Sequence, residues 1–215
     1  RQYGAHYENG ELANEGRIYR VMPKDLPPIK KGERGLIADL GSHIPIWRTN
    51  AQEELIAQGD TMLPKLRAAL KEPHLTTAQE TWLVWTIGRI DPEAWFAENL
   101  NQKIQSIRLA AFHGKLRPQV REALNNSEPR ARLEAVLAVR QIDDADSVPK
   151  LIELAAVETD RIVFYAVWGA LMNLLSTDER KDLLKNNRPA VRLAAFLGLL
   201  EEDTLTESEI EPFAN

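Results

Sequence analysis

The sequence predicts an all-α fold, a right-handed α-solenoid of about six HEAT-like helix pairs. Three observations predict it: a Pro-x-x-Arg-x-x-Ala signature that returns with a period near thirty, an amphipathic stretch after each copy, and a first segment unlike the rest.

The clearest copies are Pro45-x-x-Arg48-x-x-Ala51-x-x-x-Leu55, Pro129-x-x-Arg132-x-x-Ala135-x-x-x-Val139 and Pro189-x-x-Arg192-x-x-Ala195-x-x-x-Leu199. Proline suits the first helical turn, where its missing N–H would have no partner. The small alanine lets a neighbouring helix approach, and the apolar residue four positions later lies on the same face. Weaker copies fill the gaps: Arg108-x-x-Ala111 lacks the proline, and Glu80 and Phe164 stand at the arginine position of two others. The series 48, 80, 108, 132, 164, 192 predicts first helices at 46–58, 77–90, 103–114, 129–141, 161–175 and 189–200. Second helices are expected at 61–71, 92–99, 117–125, 146–157 and 177–185, with start signals at Thr61, Asp91, Asp146 or Ser147, and Thr177. One such pair is too thin to bury its own apolar stripe, whereas stacked pairs share a core.

Residues 1–45 read differently. They hold six of the eleven glycines and four of the twelve prolines, and are expected as an extended arm with one short strand, Arg17–Val21. Such a strand needs partners, so the arm is read as the possible end of a sheet lying upstream. The array proper is assigned to 46–200, and 201–215 is assigned as an acidic cap or tail.

Charge and composition narrow the function. The net charge is −5, but residues 201–215 carry six acids and no Lys or Arg, leaving a body of 27 basic and 26 acidic groups. A near-neutral body argues against a duplex-binding surface, so no nucleic-acid partner is expected. No apolar run approaches the roughly 20 residues of a membrane span, so no membrane insertion is expected. The absence of cysteine excludes disulfides, thiolate metal sites and thiol nucleophiles within these residues. His6, His43, His74 and His113 are scattered, and no metal site is expected from them. Asp143, Asp144 and Asp146 lack the spaced ligands of a calcium loop and are read as caps for the following helix. Glu53–Glu54 and Glu201–Glu202 are read as solvated neighbours rather than an acid–base pair. No catalytic residue and no cofactor is assigned.

Aromatic residues supply the candidate interaction surface: Trp82, Trp85, Trp95, Tyr165 and Trp168. Most are read as core filling. Because Trp82 and Trp85 flank Leu83 and Val84, four consecutive apolar residues cannot all face inward, and at least one tryptophan is expected near the surface. Arg48, Arg108, Arg132 and Arg192, with Ala51, Ala111, Ala135 and Ala195 and the three prolines, are expected to be structural, the arginines bonding one repeat to the next.

Gly16-Arg17-Ile18-Tyr19-Arg20-Val21, a Pro-rich linker, Trp47-Arg48-x-x-Ala51-Gln52-x-x-Leu55 and Leu83-Val84-Trp85-Thr86-Ile87-Gly88-Arg89 follow in an order that resembles the middle of large secreted bacterial proteins similar to sorbosone dehydrogenase. In that family a β-propeller is followed by HEAT-like repeats and often a c-type haem domain. The resemblance implies an extracytoplasmic setting, a segment of a longer chain, and protein partners: a neighbouring propeller or haem domain, or another subunit. The family's catalytic and haem-binding residues have no matching positions here. The leading expectation is therefore a non-catalytic scaffold or interaction module. The alternative is a HEAT-like enzyme such as a bilin lyase-like protein; a solenoid DNA glycosylase is disfavoured by charge.

Overall fold

The computed structural model describes residues 35–210 and, before them, the backbone of residues 7–8 and 11–12. The chain divides into two compact units, Arg1–Glu33 and Arg34–Asn215. In the first, β1 (Tyr7–Glu8) pairs antiparallel with β2 (Glu11–Leu12), Tyr7 opposite Leu12. The strand expected at Arg17–Val21 lies outside the described residues.

The second unit is helical: α1 (Leu36–Asp39), α2 (Pro45–Gln58), α3 (Leu63–Leu70), α4 (Thr77–Ile90), α5 (Leu100–Phe112), α6 (Pro118–Ala123), α7 (Pro129–Ile142), α8 (Val148–Val157), α9 (Arg161–Leu174), α10 (Thr177–Leu183), α11 (Pro189–Glu201) and α12 (Glu207–Ile210). Proline opens α2, α7 and α11, as their sequences require. Side-chain caps open α4, α5 and α9. Thr76 and Gln79 form a capping box on α4, Asn99 accepts from the Gln102 N–H at α5, and Asp160 accepts from the Ile162 and Val163 N–H groups at α9. Helices α5, α7 and α11 end alike. Gly114, Asp143 and Asp203 take left-handed backbone angles, and the next N–H reaches back to the carbonyls of Ala110, Val139 and Leu199 at 3.0–3.2 Å.

The six predicted first helices are α2, α4, α5, α7, α9 and α11, and each packs on the next in that order. The shorter helices lie against this row. α3 packs on α4, α6 on α7, α8 on α9 and α11, and α10 on α11. Each short helix thus lies mainly on the long helix that follows it. Two apolar clusters fill the interior, one around Leu40, Leu55, Leu66, Leu83 and Ile87, the other running from Ile107 to Ala194. Gly88 lets α5 close on α4: a Cβ there would stand 2.4 Å from Leu109 Cδ1.

Two expectations are corrected. Residues 92–99 form no helix. Trp95 packs on the larger cluster while its neighbour Phe96 packs on the smaller, which favours an extended run. Backbone groups there find partners outside the segment. Phe96 N–H donates to Ser106 Oγ at 2.8 Å, the Ser106 hydroxyl donates to Phe96 O at 2.9 Å, and Arg117 donates to the Pro92 and Glu93 carbonyls. The segment 36–44 is likewise not an extended arm. α1 packs on α2, and Leu40 is fully buried. It forms a short helix that packs ahead of α2.

Candidate interaction surface

The signature arginines are placed by a local cradle larger than the motif that identified them. Leu40-x-Ser42-x-x-Pro45-x-x-Arg48, Leu124-x-Asn126-x-x-Pro129-x-x-Arg132 and Leu184-x-Asn186-x-x-Pro189-x-x-Arg192 fold in one way. The side chains of Ser42, Asn126 and Asn186 accept from the N–H two residues on, at 3.0–3.1 Å. The arginine, fourth in its helix, then donates to the carbonyl of that same Ser or Asn at 2.5–2.8 Å. Sequence reading missed the Leu and Ser/Asn positions, although both recur in print.

At three junctions the fourth helical position also ties one long helix to the next. Arg132 Nε and Nη2 donate to both oxygens of Glu158 at 2.7 Å, and Glu158 accepts the Thr159 and Asp160 N–H groups in the turn that starts α9. Burial alone would push the Glu158 carboxyl up, but the Arg132 guanidinium and these N–H groups outweigh it and hold the carboxyl below its ordinary value. Glu80, fourth in α4, works with the opposite charge. Its carboxylate accepts from Asn99, Asn101 and Gln102 at 2.6–2.9 Å at the start of α5, and the same balance lowers its pKa. Arg48 lies over the Trp82 ring of α4 at 5.6 Å. Phe164 packs on the larger cluster.

Arg108 departs from this scheme. It is the ninth residue of α5, not the fourth, so its copy of the motif sits more than a turn out of frame. It makes no cradle and instead pairs in bidentate fashion with the buried Glu134 of α7 at 2.5 and 2.9 Å. Ala111 and the in-frame Ala51, Ala135 and Ala195 are all buried.

The five candidate aromatics do not form one patch. Trp82 and Trp85 are both half-buried, on either side of buried Leu83 and Val84. Trp82 packs on the smaller cluster, and Trp95 and Trp168 on the larger. Trp85 stays at the surface, its indole N–H donating to Gln105 Oε1 at 2.9 Å and its ring meeting Phe112 edge-on at 5.7 Å. Tyr165 is 49% exposed beneath the Arg161 guanidinium, 5.8 Å away.

What the structure adds is a set of exposed apolar groups on the long helices. Tyr165 and Leu193 are each fifth in their helix, and exposed Leu137 and half-buried Trp85 are each ninth. Leu193 is 45% exposed, Leu137 41% and Phe112 56%. Trp85, Arg108, Phe112, Leu137 and Gln141 line a groove of about 330 Å³ across α4, α5 and α7. Of the residues that follow the signature arginines, only Leu193, after Arg192, belongs to this set.

The other candidates fall into structural roles. Asp144 pairs with Arg121 through both oxygens and accepts from the Ser147 hydroxyl, while Asp143 closes α7, so neither caps α8. Arg89 donates to both oxygens of exposed Glu53 at 2.5 and 3.3 Å, and this pairing holds that carboxyl below its usual range. His113 Nε2 meets the Gly88 carbonyl at 2.8 Å. Among the described residues, no three His, Asp or Glu side chains come together as a metal site, and no helix is long and apolar enough to cross a membrane. No family model matches the chain, and no curated protein matches it at a significant level.

Proposed function

We propose that residues 35–210 form a HEAT-like solenoid whose function is to bind protein, as a non-catalytic scaffold within a larger assembly. The observation that carries this reading is the exposure of Phe112, Leu137, Tyr165 and Leu193 on the long helices, with half-buried Trp85 beside Phe112 and Leu137 in one groove. Exposed apolar side chains that are contiguous, rather than scattered singly, mark surfaces that are covered in the working state. The serial packing of first helices supports the solenoid, because repeat arrays bury their cores between neighbours.

Hydroxyl-radical footprinting tests the function. Phe112, Leu137 and Tyr165 are expected to be strongly modified in the 215-residue chain and protected in the full-length protein or its native complex. Equal modification in both would sink the reading. Small-angle scattering of residues 35–215 tests the architecture. A compact chain of that length has a radius of gyration of about 16 Å, and a solenoid is expected to exceed it clearly.

The resemblance to secreted dehydrogenase-like proteins extends the proposal. The module would sit outside the cytoplasm and hold a propeller and a haem domain in register. That part rests on the resemblance alone, and its test is the gene sequence on either side. Flanking reading frame without propeller strands upstream or Cys-x-x-Cys-His downstream would remove it.

A further inference from the structure

The helices that carry these apolar groups are rich in arginine. Near the exposed apolar side chains of α5, α7 and α9 stand Arg108, Arg130, Arg140 and Arg161, with Glu134 the one acid inside these helices and Glu128, Asp143 and Asp160 at their ends. Glu134 is already shared by Arg108 and Arg130, and Arg132 is engaged with Glu158. Arg140 makes no ion pair among the described residues. It lies across α9, its Nη1 3.5 Å from where a Cβ on Gly169 would stand. Arg161 is exposed over the Tyr165 ring. Exposed Phe112, Leu137, Ile162 and Tyr165 lie on these same three helices.

We propose that the face of α5, α7 and α9 receives an acidic amphipathic helix from a partner protein, an inference that rests on the interaction function above. An apolar stripe would seat on Phe112, Leu137 and Tyr165, with one side chain entering the groove beside Trp85. Carboxylates flanking the stripe would meet Arg140, Arg161 and the outward side of Arg108 and Arg130. Neighbouring helix axes lie about 8–10 Å apart, so a helix of about 14 to 20 residues spans all three.

The chemistry disfavours the other occupants. A second copy docked by the same face would set one cluster of arginines against another. A nucleic-acid backbone would satisfy the arginines and leave the leucine, isoleucine and phenylalanine wet. The acidic helix satisfies both halves of the surface at once.

Fluorescence anisotropy on the 215-residue chain tests this with three probes: a fluorescein-labelled amphipathic peptide of about 20 residues with Leu on one face and Glu on its flanks, its twin with Lys in place of Glu, and a labelled DNA duplex. The acidic peptide is expected to bind at least about tenfold tighter than its twin or the duplex. Leu137→Ser and Arg140→Glu should each weaken it by about tenfold with an unchanged melting temperature, and Arg140→Glu should narrow the gap between the two peptides. Equal binding of the peptides, preference for the duplex, no binding at all, or a dimer in light scattering that Leu137→Ser dissolves would each overturn the inference. Protection of Phe112, Leu137 and Tyr165 in the full-length protein, with no acidic-peptide binding, would leave the interaction function standing and remove only the acidic partner.

Discussion

At the residue scale, a few charged side chains engage several partners at once. Arg132 uses its guanidinium on Glu158, Asn126 O and Ser127 O, and the Glu158 side chain is 1% exposed. Removing the arginine leaves a buried carboxylate unpaired, so Arg132→Ala is expected to cost about 3 kcal/mol in urea unfolding. A loss below half of that would mean the pair is ornamental. The Glu158 carboxyl is held below its ordinary value of 4.5, so its contribution is fully present above that pH and fades as pH falls through the lowered value. The wild type should therefore lose stability on acidification, and Glu158→Gln should show a lower but flatter profile. A parallel profile for the variant would count against the assignment. The arginines were legible in the sequence because they recur at a fixed offset from proline. Glu158 was not, because its partner is 26 residues away and only the packing of successive units brings them together.

At the element scale, five of the six first helices were legible to within a residue, because proline or a cap residue marks the start and apolar spacing marks the face; α5 begins at Leu100 rather than 103. The short second helices were harder. The stretch 92–99 carries helix-like apolar spacing, yet Ser106 and Arg117 hold its backbone extended, and no local pattern announces partners that distant. Register was also misread in α5. Without a proline to anchor the frame, Arg108 mimicked a position it does not occupy. The close approach of α4 and α5 at Gly88 yields a second prediction. Helix propensity alone favours alanine there by about 1 kcal/mol, but the clash with Leu109 should reverse the sign and destabilise Gly88→Ala by about 1–2 kcal/mol. Adding Leu109→Ala should cost less than the sum of the two single changes. Simple additivity in chemical denaturation would refute the contact.

At the scale of the whole molecule, the packed helices start earlier than the first clear motif. Residues 36–44 bring Leu36, Ile37 and Leu40 to the core and the Ser42 carbonyl to Arg48. A chain beginning at 46 should therefore unfold at lower urea than one beginning at 35, by at least about 3 kcal/mol given the side chains exposed; coincident transitions would return the boundary to where proline suggested it. The overlap between units has an engineering consequence. Because a short helix rests mainly on the long helix that follows it, the interchangeable part is not the hairpin spelled out by the sequence period but the offset block that begins with the short helix. Lengthening the protein by copying 148–174 would transplant an intact seam, whereas copying 129–157 would cut through two of them.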